Sequence, residues 1–311
     1  MREAVLASRA EAAYLGLALG DALGATVEFL IPAEIRQQHG IHREIRGGGW
    51  LRLKAGAVTD DTTMSLALGE AILAEGGEVS ALAAARAFDG WMRGKPVDIG
   101  NTVRRNLVRF RQTGDPVAPP SEHDAGNGAL MRVLPVALAT WGRTPAEVAI
   151  ALRAQGQVTH NNALSDAASE AFVGALHDIF RGAGIAAVWR RADALATLHP
   201  VFAWRGRRRE QPSGYVVETV QAVWQALLAS DSFEDALVDV VNRGGDADTT
   251  GALCGMLAGA LYGRDALPQR WLRVLDPTMR HRCEEQAKKL MECAENAAAR
   301  NLPPEPCAHP T

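Results

Sequence analysis

The segment NRGGDADTTGALCGMLAGALYG, residues 242–263, decides the architecture. Asp246, Asp248 and Thr249 stand just ahead of an apolar run, and within that run Gly251, Gly255, Gly259 and Gly263 recur every four residues. Residues four apart share one face of a helix. Glycine inside a helix costs about 1 kcal/mol relative to alanine, so a whole row of them points to one backbone held directly against another. A second row lies at the other end of the chain, where Gly16, Gly20 and Gly24 repeat the period in YLGLALGDALGATVEF, residues 14–29. The two rows predict that the first helix and the helix after Asp248 cross at short range in the centre of the fold.

The rest of the chain reads the same way. Phe233, Ala236, Leu237, Val240 and Val241 fall at helical spacing behind Ser232, a preferred N-cap, and Gly244–Gly245 should end that helix. Similar spacing predicts helices over 3–23, 62–75, 80–92, 101–112, 129–140, 145–155, 164–181, 216–229, 249–262 and 277–299. The last opens with Asp276 as N-cap and Pro277 at the first helical position. No alternating run of β-branched residues is present, so the expected fold is all-α. No linker-like segment interrupts it, which predicts one domain over residues 1–300, with the Pro-rich end NLPPEPCAHPT, 301–311, outside it and disordered. Three longer connections, 29–59, 113–128 and 198–215, are of a size that often carries function.

Composition narrows the class of protein. A 47% hydrophobic and 22% charged chain of 311 residues can bury a large core. Lys plus Arg total 33 against 36 for Asp plus Glu, so there is no global charge to attract nucleic acid or a membrane surface. Arg2, Glu3, Arg9 and Glu11 interrupt the N-terminus, which therefore lacks the apolar stretch of a signal peptide. The small-residue run 249–262 is shorter than the roughly 20 residues that span a bilayer. Cys254, Cys283, Cys293 and Cys307 form no CxxC pair and read as reduced thiols of a cytoplasmic protein. The basic run WRGRRR, 204–209, reads first as a solvated loop and second as a docking patch for an acidic partner.

Two acidic clusters stand out. Thr59, Asp60 and Asp61 precede the helical run at 62–75, and Asp246, Asp248 and Thr249 precede that at 249–262. Either cluster alone is equally well read as a helix cap whose acids complement the dipole. Together they offer two carboxylates and a hydroxyl twice over, an all-oxygen set suited to hard cations such as Mg²⁺ or Mn²⁺. A pair of such ions can orient a substrate and activate water. Spacing alone does not say that the clusters meet.

Six blocks carry a resemblance: GLALGDALGATVEF at 16–29, TDDTTMSLALG at 59–69, DIGNT at 98–102, GNGALMRVLPVAL at 126–138, VTHNNALSDAA at 158–168, and the segment 242–263. In this order they resemble the ADP-ribosylglycohydrolases. SGYVVETVQAVWQAL at 213–227 is similar to the branch that regulates nitrogenase. The resemblance implies an orthogonal helical bundle with two divalent cations, Mn²⁺ or Mg²⁺, at the floor of a cleft for ADP-ribose. It implies metal ligation by Thr59, Asp60, Asp61, Asp246, Asp248 and Thr249, and catalytic roles for Glu28 and Asp98. It further implies substrate contacts from Asn101, from the backbone at Gly126, Asn127 and Gly128, and from His160 and Tyr215. Each has an alternative reading as plain sequence: Glu28 as an exposed loop charge, Asp98 equally as a helix cap, and Gly126–Gly128 as an ordinary turn.

The implied reaction is hydrolysis of the bond between ADP-ribose and a protein arginine, with the nitrogenase iron protein as target. Members of that branch are controlled by a PII signalling protein and an ammonium channel, partners this chain would share, with reversible membrane association through them. The alternatives are an ADP-ribosyl hydrolase for other targets, a phosphohydrolase using two metals, and a non-catalytic ADP-ribose-binding or structural relative.

Overall fold

A computed structural model describes residues 2–300. Fourteen α-helices occur among them: α1 Arg2–Gly24, α2 Pro32–His39, α3 Asp60–Ala74, α4 Ala81–Arg93, α5 Asn101–Thr113, α6 Leu134–Ala139, α7 Pro145–Gly156, α8 Ala163–Phe180, α9 Ile185–Leu198, α10 Val216–Leu228, α11 Phe233–Val241, α12 Ala247–Tyr262, α13 Gln269–Val274 and α14 Pro277–Arg300. No strand is found among the described residues, only the isolated bridges Gly48↔Leu53 and Gly126↔Tyr215. The expected tail, 301–311, lies outside the described residues.

The two glycine rows meet. A Cβ placed on Gly16 would stand 2.1 Å from the Gly255 carbonyl oxygen, and one on Gly20 would stand 2.0 Å from that of Gly251. Gly24 lies equally close to Ala247, and Gly259 to Ala12. Residue numbers rise on α1 as they fall on α12, so the helices run antiparallel. Contact persists over twelve residues, about 18 Å of helix. The helices thus lie alongside one another rather than crossing at one point. Gly263 stands outside the row and ends α12 with φ +81°.

Around this pair the core is aliphatic and aromatic. Phe172 on α8 meets Trp224 on α10 with ring centroids 4.5 Å apart. On α14, Cys283, Ala287 and Leu290 are buried, and Gln286 lies under Gly69 of α3. Gln286 donates to the Leu66 carbonyl at 2.9 Å and accepts from the Tyr14 hydroxyl, so one buried amide joins α1, α3 and α14. Ser232 accepts from the Asp235 N–H, and Asp276 from those of Thr278 and Met279, as expected of N-caps.

Four expectations are corrected. Residues 129–140 are not one helix: a 3₁₀ turn at Asn127–Ala129 and a further turn precede α6. The connection 29–59 contains α2. Helix α9 was missed; Val188, Ala192 and Leu195 form its buried stripe, but alanines and the pair Arg190–Arg191 dilute the pattern. The basic run is not a free docking patch either. Arg205 pairs with Asp193 and lies over Trp204, Arg208 pairs with Glu210 and Asp239, and Arg209 bonds Gln221. No described helix is long and apolar enough to cross a membrane.

Because no atom separates the α1 and α12 backbones, Gly20→Leu or Gly255→Leu must force the helices apart. Each is expected to cost about 3 kcal/mol or more, read as a lowered midpoint of chemical unfolding. An unchanged midpoint would refute the close-packing account.

Candidate active site

The register of α1 against α12 sets the site. Gly24 beside Ala247 brings the end of α1, with Asp21 and Glu28, to the start of α12, with Asp246, Asp248 and Thr249. Asp21 then captures α3. Its carboxylate accepts from the Thr59 N–H at 2.9 Å and Oγ1 at 3.0 Å, and from the Thr62 N–H at 3.1 Å and Oγ1 at 2.5 Å. These amides open α3, so a residue 38 positions upstream caps the helix. Thr59 makes no side-chain cap, and neither does Asp246 on α12. The capping explanation therefore fails for Thr59 and Asp246. Asp21 was missed as a site residue, although an aspartate inside an otherwise apolar helix is a signal that a buried partner waits for it.

The clusters converge. Thr59 Oγ1 lies 3.3 Å from Asp61 Oδ2 and 3.5 Å from Asp248 Oδ2, and Thr249 Oγ1 lies 3.3 Å from Asp61 Oδ2. Asp246 is held by the Asn127 side-chain amide at 2.7 Å, which also donates to Thr219. Glu28, whose alternative reading was an exposed loop charge, is 5% exposed and accepts from the Trp50 indole at 2.6 Å. Asp98 is no N-cap, since Gly100 occupies that place on α5. Oxygens of Glu28, Asp98 and Asp248 all lie within 4.8 Å of one another.

A cleft of about 450 Å³ is lined by Glu28, Asp60, Asp98, Asp246, Asp248 and Thr249, with no lysine or arginine, while Thr59 and Asp61 lie behind this lining. Burial, then the neighbouring acids, pushes Asp60 up to about 7, and Asp61 and Asp248 well above the ordinary carboxylate range. Glu28 rises to about 8, chiefly by burial, with the Trp50 hydrogen bond opposing the shift. Asp61 Oδ1 is buried with no hydrogen-bond partner. Oxygen donors this crowded, one of them orphaned, fit hard divalent cations and have no protein cation in the cleft to satisfy them.

The lining also includes a glycine wall, Gly126, Gly128 and Gly214, with Asn101, Asn127 and His160. The His160 ring leaves no space for a side chain at Gly126 or Gly128, where a Cβ would approach it to 2.9 and 2.7 Å. Buried Arg132 donates to Thr159 Oγ1 at 2.7 Å, and the same hydroxyl is hydrogen-bonded to His160 Nδ1 at 2.8 Å. Burial, then Arg132 and Arg105, lowers the His160 pKa to about 3, so the ring is neutral. Two expectations change here. The Asn127 N–H donates to the Gly214 carbonyl at 2.9 Å and is not free for a phosphate. Tyr215 pairs its backbone with Gly126 and is 38% exposed, while Gly214 lines the cleft in its place.

The acid cluster sets a pH dependence. Asp60 and Glu28 titrate higher in the fold than their ordinary values, so the cation-free fold holds protons that the unfolded chain releases. Their stabilising effect is complete below about pH 4 and is lost as pH rises through 7 to 8. A bound divalent cation would replace those protons. Saturating Mg²⁺ or Mn²⁺ is therefore expected to raise Tm by about 5 °C at pH 8 and by clearly less at pH 5, measured against chelated samples. A rise equal at both pH values would refute the account.

Comparison with known proteins agrees with this architecture. The ADP-ribosylglycohydrolase family profile matches residues 2–300. The chain is 48% identical to the ADP-ribosyl-[dinitrogen reductase] glycohydrolase of Rhodospirillum rubrum, covering 92% of this chain and 96% of that one. It is 33% identical to the ADP-ribosylarginine hydrolase Tri1 of Pseudomonas putida, covering 85% and 73%. A solved structure described as an ADP-ribosylglycohydrolase-related protein complex superposes with a TM-score of 0.83 at 35% identity, covering 93% of this chain and 99% of that one. Family profile, relatives and fold agree along nearly the full length, and the chain belongs to the ADP-ribosylglycohydrolase family.

Proposed function

We propose that this protein is a divalent-cation-dependent hydrolase of the N-glycosidic bond between ADP-ribose and a protein arginine. One observation carries the reading: two acidic clusters about 185 residues apart in sequence join Glu28 and Asp98 in one cleft free of lysine and arginine. Two ions, Mg²⁺ or Mn²⁺, would be held by Thr59, Asp60, Asp61, Asp246, Asp248 and Thr249. When bound they supply Lewis acidity and orient the ribose hydroxyls and a water.

The remaining work falls to the chain. As the bond to the guanidine nitrogen breaks, positive charge builds on the ribose ring. Glu28 and Asp98 lie close enough for one to carry the proton that the guanidine takes up while the other, ionised, faces the oxocarbenium-like carbon. The Trp50 indole donates to Glu28 Oε2 and so fixes the carboxylate in the cleft lining. Asn127 holds Asp246 in place, and neutral His160 and Asn101, both in the cleft lining, are hydrogen-bonding groups for the nucleotide. Tyr215 would reach the nucleotide from the rim of the cleft.

The relative from R. rubrum is named for ADP-ribosylated dinitrogen reductase, which supports the nitrogenase iron protein as target. On that reading the protein acts in the cytoplasm. A PII signalling protein and an ammonium channel are then the candidate regulators that would bring it reversibly to the membrane. The similarity to an ADP-ribosylarginine hydrolase favours a second reading with the same bond and other protein targets.

The test is release of ADP-ribose from an arginine-linked substrate. Activity is expected to vanish on chelation, to return with Mn²⁺ or Mg²⁺, and to fall at least about a hundredfold in Asp246→Asn, since even outer residues of metal sites cost 10- to 100-fold. Full activity in the chelated sample, or AMP as the product, would overturn the proposal.

A further inference from the structure

One feature at the mouth of the cleft remains unused by this chemistry. Phe29 and Trp50 line the cleft beside Glu28, yet they are 63% and 53% exposed, with ring centroids 5.5 Å apart and planes tilted by 45°. Phe29 has φ +64°, a left-handed conformation that is an outlier for a bulky residue. Its backbone is locked there: Phe29 N–H donates to the Gly245 carbonyl at 2.7 Å, and Gly245 N–H to that of Leu30 at 3.0 Å. Trp50 follows three glycines of positive φ, the last of which leaves no room for a Cβ against the Ala25 carbonyl. The fold thus holds two large rings in solvent with strained backbone, an arrangement that adds little to core burial.

Their electrostatic surroundings show what such rings can receive. Arginines lie over Phe88, Trp141, Trp189, Trp204 and Trp271, but among the described residues no such cation lies over Phe29 or Trp50. The neighbouring groups in the cleft are acids. A ring pair beside a carboxylate cluster attracts a flat, delocalised cation twice, through its π faces and through the negative potential. The pair is joined to the centre through Glu28, whereas the glycine and His160 wall is joined to it through Asn127 and Asp246.

Building on the proposed hydrolysis of ADP-ribosyl arginine, we infer that Phe29 and Trp50 form the receptor for the substrate's guanidinium group and set the preference for arginine as leaving group. Phe29 is the cleaner probe, because Trp50 also holds Glu28. In Phe29→Leu the backbone conformation is retained and the ring is lost. The expected result with an arginine-linked ADP-ribosyl peptide is a KM raised about three- to tenfold, with kcat within about twofold and with the Ki of free ADP-ribose unchanged. Phe29→Tyr, which keeps a ring, is expected to behave as wild type. Phe29→Gly removes both ring and strain, and is expected to show the same KM without a lower Tm.

Wild-type protein that leaves the arginine-linked peptide intact would overturn the proposed function and this inference together. Cleavage by wild type with unchanged KM in Phe29→Leu would overturn the inference alone. An ADP-ribose Ki that rises with KM would assign the rings to the nucleotide instead, and a Tm loss in Phe29→Gly with unchanged KM would assign them to stability.

Discussion

Everything in this protein is referred to one contact, the backbone of α1 against the backbone of α12 at Gly16–Gly255 and Gly20–Gly251. Side chains can adjust by changing rotamer, but backbone carbonyls packed on glycine cannot. A shift of one residue along either helix would bring leucine, alanine or aspartate into a space too small for a Cβ. The register is therefore fixed, and with it the position of Glu28 and Asp21 relative to Asp248.

Asp21 transmits this register to α3. With four donors from Thr59 and Thr62 it is fully used as a structural anion, although burial still raises it to about 6. Its task differs from that of its neighbours. Asp60, Asp61 and Asp248 lie in the same buried region without comparable donors, and their affinity for protons marks the strength of the field that a cation would meet. The apolar core around the site supports this concentration of like charge, which would by itself oppose folding.

The two sides of the cleft are built by different means. On one, buried Arg132 bonds Gln155 and Thr159 and stacks on Phe88, so a deeply placed cation orients His160 through an intervening hydroxyl. On the other, a glycine-rich loop and a strained Phe29 place aromatic surface at the entrance. Side-chain bonds on one side and locked backbone on the other each fix a ring in place, as expected where geometry must be held before a substrate arrives.

Much of this was legible in the sequence. The all-α class followed from apolar periodicity, and the contact between α1 and α12 from glycines at a spacing of four, because these are properties of one helix face at a time. The oxygen-rich clusters likewise announced the kind of ion they suit, and the six blocks announced the family. What the chain could not reveal was distance. Helix α9 was hidden because its alanines and arginines blur the stripe, and its burial is decided by partners elsewhere. Asp21 read as one more residue of an apolar helix until α3 was seen to end on it. Glu28 and Asp98 had ordinary local explanations that only burial and a common cleft removed, and Tyr215 was placed at the edge by its backbone pairing with Gly126. Local spacing is encoded residue by residue, whereas the meeting of Thr59 with Asp248 depends on a helix-to-helix register that no short window of sequence contains.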